Sequence, residues 1–438
     1  MAHIALIITG LTGKLNASFE MASRLQKEGH RVTYLCPFDV REKVEFLGFE
    51  YQQLPDINFD FKDMTYDLIS SKGWVDRFLF HFKNLSDHFS NGYRILNIDN
   101  YKKALNELNP DKVLVDMELH ELIFTAIDLK IPVTLFSSWF SNRLSTKLPP
   151  LRSSLTPDGN TVRIIVAWAK VKSRAWARLF FDKLMFKNYR RATLKKYARK
   201  IAFDTSELVT SNFPPLFSYT KTPIVTITMK ELEFPHKPNQ NLRYLGPMVF
   251  AKRDDDSANA TIILSEVFEQ KKVGKKIIYC TLGSFKKADI SFLKNLIKAV
   301  ENQDDYFLMI SLGKLIHINE LGNLPDNVRA FNWLPQLKIL QQSDCCINHG
   351  GTHTVYECVH FSVPMLVYSG KNFDQNGTAA RIAYHGLGIM GDKDLDGPIE
   401  INSNITDILS NNSFTEKMSE IHKKYELYRE LDIYPLLN

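Results

Sequence analysis

The stretch from 333 to 375 gathers residues that can handle an anion, a sugar and a flat ring. At Asn348-His349-Gly350-Gly351-Thr352-His353-Thr354 a short apolar run gives way to helical spacing. Two glycines at such a junction let backbone N–H groups approach a ligand closely. The start of the helix adds unpaired N–H donors and the positive end of the dipole, which suits a phosphate or diphosphate. His349 can donate to a phosphate oxygen from a ring nitrogen, and Thr354 from its hydroxyl. The plainer reading is a helix cap with Thr352 as the N-cap. Glu357 shares a helix face with His353, four residues earlier. A carboxylate there can accept from both hydroxyls of a ribose diol, or simply face solvent. A metal on His349, His353 and Glu357 is a third reading. The Gly-Gly pair counts against it, because zinc ligands sit on rigid elements. Trp333 ends a predicted strand before Pro335, where its ring either stacks on a base or packs in the core. Gln336 has an amide that can read a base edge. Asp374-Gln375 offers a carboxylate and an amide to sugar hydroxyls, and Asp374 can also cap the helix predicted from about Gln375.

A second group reads Asp116-x-Glu118-x-His120, after the apolar run Val113-Leu-Val115. In an extended segment all three would face one side. At the start of a helix predicted over about 119–129 they become cap and first-turn residues.

Both groups need strands that end where they begin. His3–Thr9 is a short Ile-rich run of the kind that forms a parallel strand buried on both faces. Gly10-Leu-Thr-Gly13 is a loop, Phe19, Ala22 and Leu25 share a helix face, and Gly29 closes that helix. Arg31–Cys36 is the next strand. A β-α-β opening predicts a parallel sheet covered by helices. Further strands are predicted at Lys112–Asp116, Pro132–Ser137 and Leu208–Ser211, with helices over about 74–108 and 119–129. The polar, acidic stretch 245–262, broken by Gly246-Pro247, reads as a linker, and its triple Asp as a solvated charge run. The rhythm then restarts: strands at Lys276–Leu282, Phe307–Leu312, Val328–Trp333, Cys345–Asn348 and Pro364–Ser369, and helices at Ile290–Val300, from Thr352, at Gln375–Tyr384 and over about 413–430. The expected organisation is residues 1–244, linker 245–262, residues 263–412, and a closing segment 413–438 that packs back on the first domain. Ligands of doubly wound sheets sit outside the carboxyl ends of the strands, so the natural site is the cleft between the two domains.

Composition sets the class. A chain of 438 residues with 44% hydrophobic and 24% charged residues is globular and long enough to fold without disulfides or metals. The net charge of +6 is too small to argue for a nucleic-acid partner. Five cysteines with no C-x-x-C pair read as buried, reduced thiols. The start of the chain lacks a basic n-region and a cleavage site, and no apolar run reaches 18 residues, so a cytoplasmic protein is expected. Residues 160–202 stand apart, with thirteen Lys or Arg and one acidic residue, Asp182, interleaved with Trp168, Trp176, Phe180, Phe181, Phe186 and Tyr189. This composition suits an anionic membrane surface or an amphiphilic acceptor. The bland reading is a helix with an apolar face packed on the domain and a basic face in water. Single-stranded nucleic acid is a weaker fit. Upstream, Trp139, Phe140 and Leu148-Pro-Pro-Leu151 look like an apolar lip over a cleft.

Taken together, Trp333-Leu-Pro-Gln336, His349-Gly-Gly-Thr-His-Thr-x-x-Glu357, Val363-Pro-Met-Leu and Asp374-Gln375 resemble the donor-binding signature of family 1 glycosyltransferases. Thr281-Leu-Gly-Ser284, Leu245-Gly-Pro247, Gly13-Lys-Leu-Asn-Ala-Ser18 and Gly29-His30-x-Val-Thr33 extend the resemblance, more loosely, over most of the chain. It implies an α/β GT-B fold, two doubly wound Rossmann-like domains facing across a cleft. It implies an inverting, metal-independent transfer from a UDP-sugar co-substrate, with no other cofactor, to a small amphiphilic or apolar acceptor. By the resemblance, Trp333 stacks on uracil, Gln336 meets its edge, and Glu357 holds the ribose diol. His349, Gly351, Thr354 and Ser284 serve the diphosphate, and Asp374 and Gln375 the sugar.

One departure concerns catalysis. Where the family carries its general base, a His after a glycine, this chain has Lys14; the partner Asp matches Asp116. An ordinary lysine, with a pKa of about 10.4, is a poor base at neutral pH. Four readings are open: a desolvated Lys14 of lowered pKa acting as base, a Lys14 that binds an acceptor already anionic, another base among neighbouring Asp, Glu or His, or lost activity. A nucleotide-sugar epimerase or a non-catalytic nucleotide-sugar-binding protein are the functional alternatives.

Overall fold

The computed structural model describes residues 1–55, 73–210, 216–237, 239–252, 258–283, 289–313 and 315–437. The chain opens with β1 (His3–Ile7), α1 (Thr12–Lys27), β2 (Arg31–Cys36), α2 (Arg41–Phe46) and β3 (Glu50–Gln53). α3 (Trp74–Ile95) and α4 (Ile98–Leu108) lead to β4 (Lys112–Asp116), α5 (His120–Asp128) and β5 (Val133–Ser137). α6 (Thr161–Leu184) and α7 (Tyr189–Lys200) are followed by four short strands, β6 (Leu208–Thr210), β7 (Phe217–Tyr219), β8 (Ile224–Thr226) and β9 (Leu242–Tyr244). The second half runs α8 (Ala258–Lys272), β10 (Lys276–Thr281), α9 (Ile290–Val300), β11 (Tyr306–Ser311), β12 (Val328–Phe331), α10 (Gln336–Leu340) and β13 (Cys345–Asn348). It closes with α11 (Thr352–His360), β14 (Met365–Tyr368), α12 (Gln375–Tyr384), β15 (Gly388–Gly391), α13 (Pro398–Ser410) and α14 (Asn412–Arg429).

Two parallel sheets organise these elements. The first has seven strands in the order β3-β2-β1-β4-β5-β8-β9, the second six in the order β12-β11-β10-β13-β14-β15. Their central strands are buried on both faces, which is why they read as unbroken apolar runs such as Val113–Val115 and Phe307–Ile310. In each sheet the strand order reverses beside the first strand, between β1 and β4 and between β10 and β13. At such a switch point neighbouring connections leave on opposite faces and open a crevice at the carboxyl ends. All five cysteines are buried and unpaired.

Several expectations are corrected. The helix predicted over 74–108 is broken at Asn97, whose left-handed backbone (φ 55°) separates α3 from α4. The strand predicted at 208–211 stays out of the first sheet; β6 pairs antiparallel with β7 instead. The place next to β5 is taken by β8, too short to register as a strand from periodicity. Within the stretch read as linker, α8 already begins at Ala258, while 253–257, with all three aspartates, fall outside the described residues.

The end of the chain is tied to the first sheet. Arg24 donates to the carbonyls of Tyr428 (2.9 Å) and Leu431 (2.5 Å). The Glu28 carboxylate accepts from the amides of Ile433 and Tyr434, and Lys112 and Thr134 both donate to the Leu437 carbonyl at 2.6 Å. Across the middle, Arg381 on α12 donates to Glu233 at 3.0 Å, where both side chains are almost fully buried, and its guanidinium lies over the rings of Phe140 and Phe234. The Gly377 amide donates to the Leu151 carbonyl at 2.9 Å. A side chain at 377 would collide with that carbonyl, so the lip 139–151 packs directly on α12.

Candidate active site

The first switch point gathers four polar side chains. β4 ends at Asp116 and β1 just before Thr9, while Lys14 sits in the first turn of α1. The Lys14 ammonium donates to Asp116 Oδ2 at 2.8 Å and to Glu118 Oε1 at 2.7 Å. Thr9 Oγ1 donates to the same Asp116 oxygen at 2.9 Å, and Asp116 Oδ1 accepts from the Glu118 amide at 3.2 Å. Lys14 is only 5% exposed and lies 5.5 Å from the Trp139 ring. Burial alone would lower the lysine pKa, but the two carboxylates outweigh it and the net shift is upward. That is opposite to what a general base needs. Glu118 moves up as well: burial and the charge of Asp116 oppose its ionisation, and Lys14 only partly offsets them.

The third member of the trio is elsewhere. His120 starts α5 and turns into the core, where Nε2 accepts from the Phe217 amide (3.3 Å) and Nδ1 bonds the Tyr219 hydroxyl (2.8 Å). Burial holds its pKa well below normal, so it is a neutral structural histidine. Because the strand ends at Asp116, the one-face reading fails for position 120.

The second switch point lies between Thr281 of β10 and Asn348 of β13, which are paired in register. The His349 ring is held there between two glycines. A Cβ on Gly283 would come within 2.9 Å of it and one on Gly351 within 2.7 Å. Gly283 also has a left-handed backbone (φ 83°) that favours glycine. Burial lowers the His349 pKa to about 4, against the Thr281 backbone, so the ring is neutral at pH 7. Among the described residues its Nδ1 is buried with no hydrogen-bond partner. The ring therefore stands at the start of α11 with an unused polar atom. Asn348 Oδ1 accepts from the Gly350 amide at 2.9 Å and fixes the turn. The helix N-cap is Gly351, not Thr352, and no side chain caps it. Thr352 instead gives its hydroxyl to Asp374 Oδ2 at 2.5 Å. Thr354 is half-buried in the first turn. Ser284 lies outside the described residues.

Around this centre the remaining predicted residues take distinct places. Trp333 is 49% exposed, which excludes the core-packing reading. Gln336 donates to Glu357 and accepts from the Tyr279 hydroxyl at 3.1 Å, so the residues expected to meet base and ribose are direct neighbours. Glu357 is buried rather than a surface glutamate. Asp374 does not cap α12 with its side chain; bonded to Thr352 and buried, it has a pKa raised to about 6 by desolvation. Gln375 accepts from the Asn372 amide at 3.2 Å. In the loop before α12, Lys371 and Phe373 both have left-handed backbones, a strain that packing must hold in place.

The two centres face each other. Gly13 lies so close to His353 on α11 that a side chain there would meet the imidazole at 2.5 Å. The Trp139 and Phe373 rings are 6.3 Å apart, and the Lys14 charge is felt at Asp374. The sequence had marked most of these residues. It did not reveal the Thr352–Asp374 bond or the Arg381–Glu233 pair, although an arginine inside the apolar segment Thr378-Ala-Ala-Arg-Ile-Ala383 was a signal.

Comparison with known proteins bears on the fold and the enzyme class. Residues 299–426 match the family described as Erythromycin biosynthesis protein CIII-like, C-terminal domain. The oleandomycin glycosyltransferase of Streptomyces antibioticus is 23% identical over 393 residues, 89% of this chain and 78% of the relative. The zeaxanthin glucosyltransferase of Pantoea ananas is 22% identical over 98% of this chain and 93% of its own length. Among solved structures, that of the kitacinnamycin glycotransferase superposes with a TM-score of 0.68 at 19% identity, covering 98% of this chain and 95% of the other. With two parallel sheets meeting at facing switch points, the chain has the GT-B fold, and over nearly its whole length it is similar to named glycosyltransferases.

Proposed function

We propose that the protein transfers a sugar, with inversion and without a metal, from a UDP-sugar to a hydroxyl of a small amphiphilic or apolar acceptor. The observation that supports this most is the opposition of two unlike centres: a buried lysine with two carboxylates on one side, and a glycine-flanked neutral histidine at a helix N-terminus on the other. The second centre suits a diphosphate, which gains from helix N–H donors and the dipole. His349, Gly351 and Thr354 are its contacts, Glu357 takes the ribose diol, and Trp333 and Gln336 the base. Asp374 and Gln375 take the sugar hydroxyls. A ribose-gripping Glu357 favours uridine over a deoxyribose donor.

In the reaction the acceptor oxygen attacks the anomeric carbon as the bond to the UDP oxygen breaks. UDP leaves with the electron pair, stabilised by the amides at the start of α11 and by His349. The acceptor proton goes to a carboxylate, and Glu118 is the better candidate. Its raised pKa makes it the stronger base, whereas the Lys14 ammonium already donates to two partners. Lys14 then positions the two carboxylates. Because its charge is matched by them, it is a poor receptor for an anionic acceptor. We place the protein in the cytoplasm and, through 160–202, against a membrane surface.

Incubation with UDP-sugars and a panel of phenolic and aliphatic alcohols, followed by mass spectrometry, tests this. Conjugates heavier by one sugar are expected. UDP binding without any conjugate would leave a binding protein, and an isomerised donor in the absence of acceptor would indicate an epimerase.

A further inference from the structure

The composition of 160–202 left open an anionic membrane surface or amphiphile, a helix with an apolar inner and a basic outer face, and single-stranded nucleic acid. α6 departs from the second of these. Its inner face is fixed by Ile164 and Trp168, both buried, and the Trp168 indole donates to the Leu148 carbonyl at 2.7 Å. On the opposite side Val162, Ile165, Val166, Trp176, Phe180 and Leu184 are exposed, Trp176 at 69%. Their spacing of three, four or multiples of these puts them on one stripe of the helix. By the same periodicity Arg163, Lys170, Arg174 and Arg178 border one edge of that stripe, and Lys172 and Lys183 the other.

α3 adds a second stripe. Val75, Leu79, Phe82 and Phe89 are exposed at spacings of four, three and seven, with Phe89 at 79%. The two helices meet where Phe186, just beyond α6, sets its ring 5.3 Å from Phe78 and 5.5 Å from Phe82. Exposed apolar surface on this scale marks an interaction site rather than ordinary surface.

We propose that the outward faces of α6 and α3 are a docking surface for an anionic bilayer, lying in its interface with the aromatic rings in the acyl boundary and the cations among the headgroups. Charge decides between occupants. Residues 160–202 carry thirteen cations and one carboxylate, so a second copy of this face would bring like charge against like. Anionic headgroups complement it. Among the described residues no helix is long and apolar enough to cross a membrane, so these helices lie on the bilayer rather than span it. The surface is coupled to the cleft: Trp168 holds Leu148, and Leu151 of the same lip bonds Gly377 on α12. Docking thus turns the acceptor side toward the lipid, which deepens the reading of an apolar acceptor and rests on it only for its biological meaning.

The test uses the full chain and vesicles, with no sugar donor, so its outcome is independent of the transferase reading. Cosedimentation is measured with vesicles of phosphatidylglycerol and phosphatidylethanolamine, and with phosphatidylcholine alone. Binding is expected to the anionic vesicles, weakened by salt, with a blue shift of tryptophan emission. The Trp176→Glu/Phe180→Glu variant should lose at least about tenfold in binding, and Lys170→Gln/Arg174→Gln/Arg178→Gln should lose the preference for anionic lipid. Both should keep the wild-type circular dichroism spectrum and melting temperature, which shows that they fold. Wild type that sediments with neither vesicle, or variants that bind like wild type, would overturn the proposal. So would light scattering showing a wild-type dimer that Trp176→Glu/Phe180→Glu converts to monomer, since the face would then join two copies.

Discussion

The Lys14 ammonium rests 2.7 Å from the Glu118 carboxylate, in a pocket where each residue is less than a tenth exposed. The pair stands at the carboxyl end of the first sheet. Removing the cation leaves Glu118 and Asp116 buried together with no counter-charge. Lys14→Met is therefore expected to destabilise the fold by about 3–5 kcal/mol, the usual cost of breaking a buried ion pair from one side. It should lower turnover far more than it lowers UDP affinity, because the donor centre is elsewhere. Denaturant unfolding, steady-state kinetics and calorimetry with UDP check the three parts. Unchanged turnover would remove Lys14 from the mechanism.

If Glu118 takes the acceptor proton, Glu118→Gln should cost about 10²- to 10⁴-fold in rate with an aliphatic alcohol. The loss should shrink with an acidic phenol such as a nitrophenol, which is already largely ionised at neutral pH. In wild type the rate should fall as the pH drops through the raised pKa of Glu118, because the base must be ionised. The variant should lack that limb. Equal losses with acidic and weakly acidic acceptors would point to a structural role instead.

Asp374 connects function to pH. Its pKa of about 6 lies above the ordinary carboxyl value because the side chain is buried. A group raised in the folded state contributes most to stability below its unfolded pKa, and that contribution is lost as the pH rises through the folded value. Near neutrality Asp374 is thus ionised at a cost to the fold, and Asp374→Asn should raise the melting temperature at pH 7. Sugar hydroxyls donate better to the ionised carboxylate, so donor affinity should fall below about pH 6 in wild type. In the variant it should be weak at every pH. Titration calorimetry across this range decides the matter.

Gly351 has no steric freedom to gain a side chain. A methyl would sit 2.7 Å from His349 Nε2, so Gly351→Ala should cost about 1–3 kcal/mol and displace the ring that faces the donor. UDP binding should weaken sharply. Adding His349→Ala should recover stability but not binding, and a double-mutant cycle measured by thermal unfolding and calorimetry separates the two.

Arg381 and Glu233 form a buried pair between α12 and the segment before β9. Arg381→Met alone should destabilise by about 3–5 kcal/mol by stranding the carboxylate, whereas the double variant with Glu233→Gln should regain part of that loss. Urea unfolding of the three variants checks this.

The sequence by itself determined the parallel α/β layout, since strands buried on both faces read as apolar runs, and the longer central ones here did. It also marked the strand ends where glycines, histidines and carboxylates collect, although His120 among them proved to be a core residue. The shortest strands and the Asn97 break escaped it, as three residues carry no periodicity and a left-handed residue in a helical pattern leaves no trace in hydrophobicity. Only the tertiary structure decided the protonation of the centre. The charge state of Lys14 depends on two carboxylates more than a hundred positions away, whose attraction opposes the effect of burial and raises its pKa. The same holds for α6, where composition gave the charges and rings, but only the packing of Trp168 against Leu148 fixed which stripe faces outward.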